Sequence, residues 1–202
     1  MPTTLRFRQG SGRLCLDFAR TLRLRGTADA VEELPDGEAL AAWIRQCGPC
    51  PAGAGDVSPG LVRAAQELRE AVHRLITAAR AGAAPDAETR ALVNEAAARP
   101  VPVPALTASG RLAWHAGDPV LATLSLVARD ALDLVTSPAV GRVRDCAGTS
   151  CGALFLDTSR PGTRRWCSMG TCGNRAKKAA LRRRAARGPG PDGASSEPAG
   201  AW

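Results

Sequence analysis

The sequence predicts an α+β protein: an α-rich N-terminal domain with a small antiparallel sheet, followed by a small C-terminal module built around cysteines. Three observations predict it. Four segments before residue 139 repeat apolar residues at helical spacing, and one pair of short alternating segments reads as a hairpin. The charge is split: residues 1–141 hold 15 Arg and 15 acids, whereas 142–187 hold 12 basic residues and only Asp145 and Asp157. Four of the seven cysteines, at 146, 151, 167 and 172, fall inside that basic segment. The 202 residues are 45% hydrophobic but only 3% aromatic, with no Tyr, so the core must be mostly Ala, Leu and Val.

The elements follow in order. Gly12–Leu24 is compatible with a strand that continues into a helix, and its periodicity does not decide between the two. Thr27–Gly37 is a polar, acid-rich connection. Glu38–Cys47 places Leu40, Trp43, Ile44 and Cys47 on one helical face, and residues 48–60 form a loop. Ser58 caps the next helix and Pro59 suits its first turn. Its apolar face is Leu61, Ala65, Leu68, Val72, Leu75 and Ile76, and it ends near Gly82. A shorter helix covers Pro85–Ala98. The segments 100–106 and 111–117 alternate around a turn at Ala108–Gly110, and prolines make the first arm an edge. Asp118–Pro119 opens an apolar helix that Pro138 stops. The expected organisation is an N-terminal domain over 1–139, a C-terminal module over 140–187 and a disordered tail over 188–202, too polar to bury itself.

The C-terminal module carries the chemistry. Its cysteines are spaced C-x4-C-x15-C-x4-C. Zinc prefers four tetrahedral ligands, and paired thiolates satisfy it fully. Gly148 and Gly152 suit a tight knuckle, Leu154–Leu156 a short β element, and Arg160–Gly162 a turn. Cys172 immediately precedes a helical run, which would put the fourth thiolate at a helix N-terminus, where negative charge is favoured. The layout is that of a treble-clef-like finger around one structural zinc ion held by Cys146, Cys151, Cys167 and Cys172. No fifth donor accompanies the four, so the site is expected to be closed and not catalytic. Arg144, Arg164, Arg165 and Arg175 flank the thiolates and can neutralise the two net negative charges of a four-thiolate zinc site. The final helix carries Arg175, Lys177, Lys178, Arg182, Arg183, Arg184 and Arg187 with no acid at all. Solvated faces usually mix signs, so this pattern points to a polyanion.

The residues W-C-S-M-x-x-C-G-N-R (Trp166–Arg175), preceded by C-A-G-x-x-C-G-x-L-F-L-D-T-S-R (Cys146–Arg160), resemble the signature of the CGNR zinc-finger family. In that family the finger follows an N-terminal ABATE domain, associated with stress-induced transcription regulation. The N-terminal half is similar at L-D-F-x-x-T (Leu16–Thr21), Q-E-L-R-E (Gln66–Glu70) and the closing T-S-P (Thr136–Pro138). The resemblance covers about residues 10–187. One departure is visible: where the family usually has Asn before the Thr of the first motif, this chain has Arg20.

Other candidates are weaker. Cys47-Gly-Pro-Cys50 has thioredoxin spacing, but a helix precedes it and PAGAG follows, the reverse of what that chemistry requires. His73 and His115 have no nucleophile or paired carboxylate at catalytic spacing, and no phosphate loop or hydrolase motif is present, so no catalytic residues are assigned. Asp17, Arg20, Arg69 and Glu70 read as a buried polar network or, alternatively, a small-molecule pocket. No stretch approaches the roughly 18 apolar residues of a membrane span. Six arginines in the first 26 residues argue against a secretory signal. The expected function is a cytoplasmic, bacterial, zinc-dependent DNA-binding transcription regulator, with Arg164, Arg165, Arg175, Lys177, Lys178, Arg182, Arg183 and Arg184 meeting nucleic acid and the N-terminal domain sensing a ligand. The alternatives are a finger that binds RNA or protein as an adaptor, and an enzyme with its site near Asp17 and Glu70.

Overall fold

The structure is a computed structural model that describes residues 7–50, 52, 57–149 and 151–186. The tail over 188–202 and Arg187 lie outside the described residues. The order of elements is α1 (Leu14–Ala19), β1 (Leu22–Arg23), β2 (Val31–Glu32), α2 (Gly37–Cys47), α3 (Pro59–Arg80), α4 (Ala87–Ala98), β3 (Val103–Leu106), β4 (Leu112–His115), α5 (Pro119–Thr136), β5 (Val143–Asp145), β6 (Leu154–Leu156) and α6 (Asn174–Ala186). Three separate antiparallel pairs, β1–β2, β3–β4 and β5–β6, accompany the helices.

Helices α2, α3 and α5 start where their caps dictate. The Asp36 carboxylate accepts from Ala39 N at 2.8 Å, Ser58 Oγ from Leu61 N at 3.2 Å, and Asp118 Oδ1 from Val120 N and Leu121 N at 2.9 Å each. Helix α4 is capped in the same way by Asp86, which takes Thr89 N at 2.7 Å. Where the periodicity of 12–24 leaves strand and helix undecided, the structure places the helix before the strand. Helix α1 comes first, and β1 follows it to pair with β2 inside the polar connection. The reason lies far along the chain: the Asp130 carboxylate of α5 accepts the Cys15 N–H at 2.8 Å, and Arg13 bridges Asp130 and Asp133. These contacts secure the start of a six-residue helix that has no side-chain cap of its own.

Helices α1, α2, α3 and α5 share one core. Phe18 of α1 stacks obliquely on Trp43 of α2 with ring centroids 4.9 Å apart, and Leu40, Val72, Ile76, Val127 and Leu134 close around them. This core does not stop at residue 139. Val143, Leu154 and Leu156, from β5 and β6 of the finger, belong to it. The Leu156 N–H also donates to the Ser11 carbonyl at 2.7 Å. A second, smaller cluster of Ala153, Phe155, Cys167 and Cys172 lies on the cysteine side. No helix among the described residues is long and apolar enough to cross a membrane.

Candidate metal centre

The finger is assembled around the β5–β6 hairpin, paired Val143↔Leu156, Arg144↔Phe155 and Asp145↔Leu154. Strict alternation sends Leu154 and Leu156 toward the main core and Phe155 toward the cysteines. Cys146 follows β5 directly, and Cys151 stands a short step before β6. The Cys146 N–H donates to the Ala153 carbonyl at 2.9 Å, so the ladder continues to the first ligand. The knuckle between them closes through Cys151 N to the Gly148 carbonyl at 3.0 Å. Gly148 leaves little room for a side chain, because a Cβ there would stand 3.2 Å from Cys172 Sγ. Gly152 is needed twice over. Its φ is +62°, and a Cβ would meet the Arg25 carbonyl at 2.9 Å.

The second cysteine pair is delivered by a loop pinned on Asp157. This buried carboxylate accepts from Ser159 Oγ at 2.6 Å, Ser159 N at 2.9 Å and Arg164 N at 3.0 Å, and these bonds hold it below the usual carboxylate range. Cys167 follows, and Cys172 sits in a single π-turn, Met169–Gly173, that runs straight into α6. The fourth sulfur therefore lies at the start of a helix, as its position in the sequence implied.

The four Sγ atoms all lie within 4.8 Å of one another. Cys151–Cys167, Cys167–Cys172 and Cys172–Cys151 are separated by 3.7, 3.8 and 3.6 Å. A tetrahedron with metal–sulfur bonds of about 2.3 Å has edges of about 3.8 Å, so Cys151, Cys167 and Cys172 stand where three corners of a zinc site belong, with Cys146 Sγ within 4.8 Å of each. Cys146 Sγ accepts backbone N–H groups from Gly148 and Cys167, each at 3.4 Å. The hydrogen bond between Cys151 and Cys167 lowers the Cys151 thiol and, together with burial, raises that of Cys167. The donor set is complete, soft and closed, and it fits one structural zinc ion.

The surrounding arginines divide by role. Arg20, 6% exposed, donates from Nη2 to Cys167 Sγ at 3.5 Å and from Nη1 to Ser11 Oγ at 3.1 Å. Arg164 is spent on the finger itself: it donates to the carbonyls of Trp166, Gly10 and Cys167 and lies over the Phe155 ring at 4.7 Å. Arg165 covers Trp166 at 5.2 Å, and Arg144 is exposed on β5. Arg175 is exposed and lines a narrow cleft with Arg8, Arg20 and Arg23 beside Cys151 and Cys172. Its own helix, α6, has no buried residue, so Lys177, Lys178, Arg182, Arg183 and Arg184 all face outward. A groove of about 340 Å³ along it is lined by Thr171, Asn174, Arg175, Lys178 and Arg182.

The other sequence candidates are placed as follows. Asp17 accepts from Gly10 N and Ser11 N. Arg69, 3% exposed, forms a two-pronged pair with Glu32 at 2.6 and 2.7 Å and reaches Glu70 at 2.9 Å. Against the cost of burial, hydrogen bonds from Arg25 and Arg69 hold the Glu70 carboxyl low. Arg69 and Glu70 thus share one ion-pair network with Glu32 and Arg25, while Asp17 and Arg20 both engage Ser11. Cys47 accepts from Gln9 Nε2 at 3.1 Å, and burial pushes its thiol up to about 11 and raises Cys50 as well, the opposite of an activated thiol. Burial and the nearby Arg25 push His73 down to about 4. Sequence reasoning missed Arg8, Arg23 and the Arg20–Cys167 contact, which join residues up to 147 positions apart.

The chain matches the CGNR zinc-finger family over residues 142–185. Over residues 12–138 it matches the ABATE family, described as "putative stress-induced transcription regulator". No curated protein matches it. Neither family is an enzyme family. The ABATE match spans well over half of the chain and the finger match follows in the expected order, so the chain belongs to the ABATE family and ends in a CGNR zinc finger.

Proposed function

We propose that this protein is a zinc-dependent transcription regulator that binds duplex DNA through α6 and the finger beneath it. One observation carries the reading: α6 is an acid-free helix of 13 residues, with no buried side chain, seated directly on the metal site. An isolated helix of that length is marginal in water, and clustered cations repel one another, so its sequence makes physical sense against a polyanion. Arg175, Lys177, Lys178, Arg182, Arg183 and Arg184 then meet phosphates, with Arg165 beside them, while Arg164 shapes the finger. The zinc ion fixes the turn from which α6 departs and takes no part in a reaction. The N-terminal domain senses a small effector, and its mutually engaged side chains at Asp17, Arg20, Arg69 and Glu70 serve its architecture. Seven free cysteines suit a reducing compartment such as the cytoplasm.

The test is binding of the purified protein to labelled duplex DNA across a salt series, with and without a zinc chelator. With about five phosphate contacts, the log–log slope is about −4.5, from roughly −0.9 per contact, and chelation abolishes the shift. Binding that ignores salt, or survives complete zinc removal, overturns the proposal. Tighter binding to RNA of the same length would assign the finger to an RNA-binding adaptor instead.

A further inference from the structure

The β3–β4 hairpin stands apart from the rest of the fold. Among the described residues it is a two-stranded sheet that joins no other. A lone hairpin is marginal in water, and this one leaves Val103, Leu106, Leu112 and Trp114 exposed, Trp114 at 38%. Beneath its base lies a cavity of about 670 Å³. Its floor is the first turn of α5, through Pro119, Leu121 and Ala122. Pro100 and Val101 form one wall, and Val103 and Trp114 the other. The size is that of sites that hold small organic molecules, and the mostly apolar lining with few polar groups is their usual composition.

Those few polar groups narrow the ligand. Asp118 lines the cavity, but its Oδ1 is taken by Val120 N and Leu121 N as the cap of α5. Arg99, His115 and the Cys50 thiol also line it. Arg99 is anchored at its backbone, where its carbonyl accepts from Ser125 Oγ at 2.8 Å and Arg129 Nη2 at 3.0 Å. Its guanidinium pairs with Glu95 on the same helix, an exposed pair that an anion can displace at little cost. We infer that this cavity binds an amphipathic small molecule with an aromatic ring and an anionic group, the ring against Trp114 and the anion toward Arg99. Its regulatory meaning rests on the proposed ligand sensing by the N-terminal domain; the binding site itself does not.

The experiment uses the full chain and two fluorescent probes of similar shape: anionic 1-anilinonaphthalene-8-sulfonate and neutral N-phenyl-1-naphthylamine. The wild type binds each with one-to-one stoichiometry. Ala116→Trp, which fills the space, abolishes both while far-UV circular dichroism stays unchanged; Val101→Trp serves if that variant fails to fold. Arg99→Gln weakens the anionic probe about tenfold, as expected for one lost charge-assisted contact, and leaves the neutral probe unchanged. No binding by the wild type, or binding that survives the filling substitution, overturns the site. Equal loss of both probes in Arg99→Gln overturns the anionic assignment. DNA affinity that stays the same with the cavity filled overturns ligand sensing while the site stands.

Discussion

Arg20 lies in the buried seam between the N-terminal helices and the finger, and it touches a cysteine sulfur with no carboxylate in its own hydrogen-bond shell. A four-thiolate zinc site carries two net negative charges, so this guanidinium is partly neutralised by the metal centre and the centre by it. Arg20→Gln is expected to lower zinc affinity about tenfold, measured by competition with a chromogenic chelator, because a hydrogen bond to a charged group contributes about 1.5–3 kcal/mol. Arg20→Lys should recover part of the loss. Cys47 and Cys50 make the opposite case: replacing both with Ser should leave zinc content and melting temperature unchanged, and a drop in either would give the pair a function. His73 sets an acid limit. Its value falls from 6.5 to about 4 in the fold, so the unfolded chain binds the extra proton first. Stability is then highest above about pH 6.5 and declines as pH falls toward 4. In His73→Gln, chemical denaturation should show a shallower decline over that window.

At the scale of elements, α6 and the finger knuckle divide the labour between charge and shape. Changing Arg182, Arg183 and Arg184 to Ala should flatten the salt dependence of DNA binding by about two to three units and weaken all sequences alike. Unchanged affinity and slope would remove α6 from the interface. The elements most legible from sequence were those that carry their own start signals: Ser58 before α3, Asp118 before α5, and the paired cysteines with their glycines. The hairpin 103–115 was legible from alternation around Ala108–Gly110. Helix α1 was not, because the group that accepts its Cys15 N–H is Asp130, 115 residues away. The same applies to Arg20, which reads from sequence as part of a buried polar network or a pocket and whose partner Cys167 lies 147 residues away. The cavity beside Trp114 left only an exposed aromatic residue as its signal, and a Trp at a strand position reads first as core.

For the whole molecule, the shared core decides how it unfolds. Val143, Leu154 and Leu156 lie among the N-terminal helices, so the finger's hairpin is part of what those helices pack against. Calorimetry should show one transition for the zinc-bound chain, and zinc removal should lower its midpoint. A second, independent transition would mean that the finger unfolds alone. Leu156→Ala should cost about 2–5 kcal/mol, the range for a buried leucine, and should weaken zinc retention as well, although Leu156 is no ligand.

The contact between Gly152 and the backbone of Arg25 bears on how such chains can be recombined. The knuckle that positions the metal is shaped by a surface that another part of the gene encodes. A finger cut at residue 140 and grafted onto a foreign N-terminal half would carry all four of its sulfurs and still arrive without the ledge that Gly152 rests on, the Ser11 carbonyl that ends its hairpin, or the guanidinium beside Cys167. Exchange of whole halves between relatives should therefore fail at this seam unless residues 11–25 travel with the finger, which makes the inherited unit the joint and not the domain.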